Sequence, residues 1–348
     1  MKEKVNAPLN LDEQILLHEK RMQQSVKRAE MFQKIGKVWS VGILVLIVVI
    51  FSMFQARIFS VAYWQSTLAY MTEIIILGIG EGLIMMAGCI DLGIGTLSAL
   101  VGVSAAQFIR IYSASLGVGT TVLIATIGGF AIGLIFGWTN GMLVTKLKLS
   151  PFLATIGTMS VSKGLALVLS EGAEVVGLPQ VLKQVANHRF FGFATPNMLI
   201  GWLVVLIVAL VLHKTRFGQY TYAVGSNREA LQRSGVSADR QIIKLYMIEG
   251  FLGALSGLLL VFRYCSANPN TGQTTQLTAI AAAAIGGVSN RGGTGRAEGV
   301  LVGALIISVL MTGLVLINVP SYWQQVAVGI MIIMSVYMDQ FSTRSQLK

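Results

Sequence analysis

The stretch from Val118 to Thr145 contains no charged side chain, and that run limits what the whole chain can become. Comparable apolar runs cover Val38 to Phe54 and Val300 to Val319. A bilayer-spanning helix needs about 17 to 25 mostly apolar residues, so each run is long enough to cross. In hydrocarbon every backbone N–H and C=O must be satisfied within the protein, which selects helix for a single crossing segment. Composition agrees, with 54% hydrophobic and 12% charged residues against about 25% charged in a soluble domain. The expected fold is an all-α membrane protein.

Ten spans are predicted, at 38–54, 66–88, 92–109, 118–145, 151–170, 197–213, 241–262, 275–290, 299–318 and 322–338, the eighth being the weakest. The net charge of +11 suits a nucleic-acid partner in a soluble protein. Beside membrane helices, basic residues instead mark cytoplasmic loops, and no nucleic acid is expected. A cytoplasmic N-terminus gathers the basic 1–37 segment, Lys146, Lys148, the 214–244 segment, Arg291, Arg296, Arg344 and Lys348 inside. Only Arg57, Arg110, Lys183, Arg189 and Arg263 then fall outside, with Lys163 inside a span and read as an interfacial lysine that snorkels. Both termini are expected in the cytoplasm.

The chain thus divides into an N-terminal segment over 1–37, a transmembrane domain over 38–340 and a cytoplasmic tail over 341–348. Ile15, Met22, Val26 and Ala29 give the first of these a helical apolar spacing suited to a membrane surface. The first apolar run follows this polar segment directly, and no cleavable leader is expected. Helices two to five and seven to ten run in opposite directions and predict an inverted repeat. Gly129, Gly133, Gly137 and Gly141 recur every fourth residue and predict a smooth stripe for close helix packing.

Several chemistries are excluded. Gly36 and Lys37 are followed by Val38, so there is no phosphate-binding loop; His18, His188 and His213 are scattered and no HExxH occurs. Cys89 and Cys265 have no metal-site spacing. Ionisable residues in apolar segments are functional candidates, because charge in lipid is costly. Here they are Glu73, Glu81, Asp91 and Glu249. Glu73 and Glu81 lie about 80° apart around a helix and are expected to face one polar cavity, as a pore lining, a proton relay or a pair bonded to neighbouring helices. Asp91, in GCIDLGIG, is placed to cap the third helix. Asn140 is a further candidate for a helix break or a translocation pathway.

Five stretches carry a resemblance: GCIDLGIG (88–95), NGMLVTKLKLSPFLATIGTMS (140–160), KTRFGQYTYAVGSNREALQRSGV (214–236), LTAIAAAAIGGVSNRGGTGRAEG (277–299) and PSYWQQVAVG (320–329). In this order they resemble the permease subunits of ribose-type bacterial ABC sugar importers, the family that handles ribose, xylose, galactose and autoinducer-2. Cys89, Gly93 and Thr278 depart from the family's usual residues. The resemblance implies a type II importer-like bundle in the inner membrane that is itself no enzyme and carries no cofactor. ATP and magnesium would bind separate ATPase subunits, a periplasmic binding protein would deliver the sugar, and a second permease copy, identical or paralogous, would complete the path. Within the cytoplasmic loop 214–240, Glu229, Ala230 and Gly235 match the importer pattern that docks into the ATPase, Leu231 standing where that pattern has its second alanine, and Asn227 and Arg228 belong to the same ATPase-coupling segment. Asn227 suits an N-cap, Glu229 the first turn and Gly235 a left-handed stop. A proton-coupled secondary transporter built on the intramembrane carboxylates is the alternative.

Overall fold

Most of each predicted span within the described residues is helix, and the differences lie where glycines and polar breaks interrupt the chain. The computed structural model describes residues 42–346, so the 1–37 segment lies outside the described residues. Helix α1 (Gly42–Phe54) leads through a 3-10 turn at Ala56–Phe59 into α2 (Val61–Met86). Then follow α3 (Ile94–Leu116), α4 (Val118–Thr145), α5 (Pro151–Ser170), the short α6 (Val181–Ala186) and α7 (Pro196–Lys214). Two further short helices, α8 (Arg216–Ser226) and α9 (Arg228–Arg233), precede α10 (Ala238–Tyr264), α11 (Gly272–Ile285), α12 (Ala297–Leu316) and α13 (Ser321–Gln346). Among the described residues, α2, α3, α4, α5, α7, α10 and α12 are long and apolar enough to cross a membrane. The chain is a multi-pass all-α membrane protein.

Two expectations need correction. The second span begins at Val61 rather than 66, because the Ser60 hydroxyl accepts the Tyr63 N–H at 3.2 Å and starts the helix early. The predicted span at 275–290 is a helix of only 14 residues, about 21 Å long at 1.5 Å per residue against a hydrocarbon core of about 30 Å. It stops at Gly286 and Gly287, the latter at φ 82°. Helix α13 continues through Gln346.

Lys146, Lys148, Arg228, Arg233, Arg240, Arg291 and Arg296 all fall at one end of the bundle, called the basic end below. There the Gly293 N–H donates to the Met86 carbonyl at 2.8 Å, and a Cβ on Gly225 would collide with both groups. At the opposite end Val175 and Ala267 exchange backbone hydrogen bonds of 2.8 and 2.9 Å.

The glycine stripe of α4 packs against α10. A Cβ at Gly133 would strike the Gly250 carbonyl, one at Gly137 the Tyr246 carbonyl, and one at Gly141 the Ile243 backbone. The approach is reciprocal, since a Cβ at Gly250 would strike the Gly133 carbonyl. Such backbone contact is how helices gain dispersion energy where lipid removes the hydrophobic drive.

The packing follows the pairing an inverted repeat requires. Helices α2 to α5 correspond to α10 to α13: α3 packs on α4 and α5 as α11 packs on α12 and α13, while α2 meets α11 and α12 as α10 meets α3 and α4. The correspondence extends to single residues. The spacing from Val61 to Ala238, the starts of α2 and α10, also separates Asp91 from Asn268 and Gly95 from Gly272. The Asp91 side chain accepts the Gly93 N–H, and the Asn268 side chain accepts the Asn270 N–H at 2.8 Å, so the same turn occurs in both halves.

Leucine at Gly137 should force α4 from α10 and lower stability by about 1–3 kcal/mol, the usual range for overpacking. Leucine at Gly128, on the open side of the same helix with nothing within 4 Å of its Cβ position, is the matched control. Thermal unfolding of both variants in detergent checks this; equal melting would show that the stripe does not govern the packing.

Candidate functional site

Two short non-helical segments, 87–93 and 265–271, interrupt the bundle, and buried polar side chains from neighbouring helices gather around the first of them. The two segments lead into α3 and α11, whose first turns meet: Cβ atoms at Gly95 and Gly272 would each strike the other's carbonyl. The meeting lies midway through the bundle, since Ile94 is packed on Gly253 and Gly80, near the level where α4 and α10 cross at Gly133 and Gly250. Irregular backbone at such depth is tolerated only where protein or water satisfies it.

In the first break, neighbouring helices supply that satisfaction. The Asp91 N–H donates to Glu81 Oε1 at 3.3 Å, the Leu92 N–H to Thr155 Oγ1 at 3.2 Å, and the Gly93 N–H to Asp91 Oδ1. Asn140 of α4 donates through Nδ2 to Asp91 Oδ2 at 3.0 Å. Glu249 of α10 completes the group, packed against Gly80, the residue before Glu81. A small cavity beside it is lined by Asp91, Asn140, Thr158, Ser162, Tyr246 and Glu249, among others. Asp91 therefore serves the start of α3 as expected, through the N-cap residue Gly93 rather than as the N-cap itself.

Glu73 and Glu81 do not share a cavity. Glu73 pairs with Arg263 at 3.0 Å in a pocket with Thr72, Asn197 and Ser256, while Arg263 also donates to the Ala69 carbonyl at 2.7 Å. The angle between two residues on one helix does not determine which neighbours face them. Arg263 is thus largely buried between helices.

The second break is neutral and polar. Asn270, Thr271 and Gln273 are exposed at its surface, and Lys163 of α5 donates to Asn270 Oδ1 at 2.8 Å. Lys163 sits seven residues before the end of α5, about 10 Å inside the bundle, bonded to a partner rather than snorkelling. Gln276, in the first turn of α11, is 4% exposed and its Oε1 has no hydrogen-bond partner.

At the basic end, α9 is a single short helix on the surface. Asn227 caps it by accepting the Ala230 N–H at 2.9 Å, Glu229 lies in its first turn, and Gly235 ends the segment at φ 84°. From Ser226 to Gly235 every residue is exposed except Leu231, which is 6% exposed and anchors the turn. Arg228 is held by Asp239. Helix α8, unforeseen from sequence, ties this element to the bundle: Tyr222 Oη donates to the Gly295 carbonyl at 2.9 Å, and Gln241 Nε2 to the Phe217 carbonyl and Thr221 Oγ1. Among the described residues, no three His, Cys, Asp or Glu side chains are placed to hold a metal ion.

The sequence singled out the carboxylates but missed Arg263 as a partner and the Asn268 turn. The repeated Asp91-x-Gly93 and Asn268-x-Asn270 spacing was the available signal.

Known proteins resemble the chain along most of its length. Residues 63–336 match the family described as branched-chain amino acid transport system / permease component. The chain is 36% identical over 267 residues to the ribose import permease protein RbsC of Bacillus subtilis, covering 76% of this chain and 80% of that protein. It is 32% identical over 308 residues to the fructose import permease protein FrcC of Rhizobium meliloti, covering 86% and 84%. It is 30% identical over 269 residues to the autoinducer 2 import system permease protein LsrC of Photorhabdus laumondii, covering 76% and 78%. No solved structure matches the chain.

Replacing Arg263 with alanine leaves Glu73 as an uncompensated buried charge and should cost about 3–5 kcal/mol. Adding Glu73→Gln should recover most of that loss. Melting temperatures of the single and double variants test the pair, and an unchanged melt for Arg263→Ala would show that water reaches it.

Proposed function

We infer the function from one premise: this chain belongs to the family of branched-chain amino acid transport system permease components, over residues 63–336. It is the membrane-spanning permease subunit of an ATP-driven importer, and ATP hydrolysis is carried out by separate subunits. The cargo is a monosaccharide or a related small polyol, handed over by a soluble binding protein in the periplasm. The relatives named for ribose, fructose and autoinducer 2 support that substrate class.

The observation that carries the reading is α9 with its flanks. A six-residue helix, exposed except for one buried leucine and closed at both ends by Asn227 and Gly235, is a rigid projection with little to do inside its own chain. It suits docking into a cleft of an ATPase subunit at the cytoplasmic face. The basic end then faces the cytoplasm, with both termini, and the 171–195 loop faces the periplasm.

The pathway would run where α11 begins. Asn270, Thr271, Gln273 and Lys163 lie on the surface of a single chain at a depth where lipid offers no hydrogen bonds. A second permease copy, enclosing water against this face, resolves that conflict. Amides and hydroxyls along the break suit the hydroxyls of a sugar. The carboxylates a proton-coupled secondary transporter would use are instead enclosed between α2, α4 and α10, which leaves the exposed α9 without a role in such a protein.

Gly235→Val forces a β-branched residue into a left-handed conformation, a strain of roughly 1–3 kcal/mol. Glu229→Lys places a cation at the positive end of α9. Both should insert normally yet lose several-fold in ATPase co-purification and in ATP-dependent uptake by proteoliposomes. Wild-type values for both variants would leave the segment as a topology signal. For orientation, a cysteine replacing exposed Gln180 should react with a membrane-impermeant maleimide from the periplasmic side alone. Reaction from the cytoplasmic side alone would reverse the topology.

A further inference from the structure

The carboxyls of Glu81, Asp91 and Glu249 meet in the interior with no cation to answer them. Their residues are 0%, 3% and 1% exposed. The groups that face them are Cys89 from the break, Asn140 from α4, Thr158 and Ser162 from α5, and Tyr246 from α10. None is a lysine, arginine or histidine; Arg228, which lies on the far side of Cys89, is held by Asp239. No N–H or O–H of another residue reaches either oxygen of Glu249 or Oε2 of Glu81. Glu249 lines one small cavity with Asp91 and packs against Gly80, the residue before Glu81, so the carboxyls of Asp91 and Glu81 are its polar neighbours.

Two bare carboxylates so placed repel each other, and a proton between them turns repulsion into a hydrogen bond. We propose that the cluster is a proton-binding site in which Glu81 and Glu249 each hold a proton at neutral pH and Asp91 is the single anion.

The assignment follows from the donors. Asp91 receives the Gly93 N–H on Oδ1 and the Asn140 amide on Oδ2 at 3.0 Å. It also sits at the N-terminal end of α3, where the helix dipole favours negative charge. Glu81 receives one backbone N–H, from Asp91 at 3.3 Å, and Glu249 receives none. Protons on the two glutamates give a chain in which Glu81 donates through Oε2 to Glu249 and Glu249 donates to Asp91. Every oxygen of Glu81 and Glu249 left without a partner is then satisfied. The second half of the molecule sharpens the point. There Asn268 makes the same turn with a neutral amide, so the turn needs no charge, and the two glutamates brought to the first break by α2 and α10 are an addition to it. The bound protons let α2 and α10 pack side by side on the break without three charges in the bilayer interior. This holds whatever the cargo and whichever ATPase docks.

Infrared spectra of the full-length permease in lipid at neutral pH test the site directly. The wild type should show the C=O stretch of protonated carboxylic acids, shifted in D2O. The band should be weaker in E81Q and in E249Q, weakest in the double variant and unchanged in D91N. No such band in the wild type, or one that the double variant leaves unaltered, would overturn the proposal, as would loss of the band in D91N alone. Should D91N fail to assemble, the wild type and the glutamine variants decide the question between them.

Discussion

A polypeptide inside a bilayer has to satisfy every backbone N–H and C=O without water, and the contact of Gly95 with Gly272 exists because the chain re-enters helix twice at that depth. Each excursion frees backbone donors that must be met. At 87–93 they are met by Glu81, Thr155 and the Asp91 side chain; at 265–271 by the Asn268 side chain and by Val175 across the α5–α7 connection. The returning helices α3 and α11 can then begin in the interior, back to back. Only glycine lets the two first turns approach so closely. A pair of larger residues would separate the halves and expose the breaks.

The seven long apolar helices among the described residues and the close packing of α4 were legible in the sequence because hydropathy and glycine spacing report directly on burial and close approach, whereas the pairing of the two halves followed only from helix count and direction. The stripe from Gly129 to Gly141 faces α10 as its spacing suggests. The shortness of α11 was not legible, because the apolar run over 277–285 continues into Gly286 and Gly287 without a change in hydropathy. Helix α8 was hidden for the converse reason. Its residues are too polar to be a span and their periodicity covers only three turns, so the 214–226 stretch reads as loop.

For the site, the sequence marked which residues were costly but not whom they would meet. Glu73 and Glu81 share a helix and differ in every neighbour, one facing Arg263 and the other Asp91 and Glu249. That outcome depends on tertiary packing of α10, whose C-terminal end delivers Arg263 and whose middle delivers Glu249. Asn227 and Gly235 were legible because capping and left-handed turns are local, set by residues within four positions of each other.

The same two helices join the basic end to the interior. Met86, the last residue of α2, accepts from Gly293 beside Gly225, while Gln241 in the first turn of α10 is bonded to α8. Five residues before Met86 stands Glu81, and within three turns of Gln241 stands Glu249. Displacement of α8 and α9 would therefore reach the first break through two helices that both touch the basic end and both carry members of the same group of acids. A helix transmits translation with little loss over such a length, and backbone-to-backbone packing through Gly133 and Gly250 leaves α10 no room to move independently of α4. Motion imposed at the basic end is thus delivered to α3, and through the Gly95–Gly272 contact to α11, the element that carries the polar face proposed for the cargo.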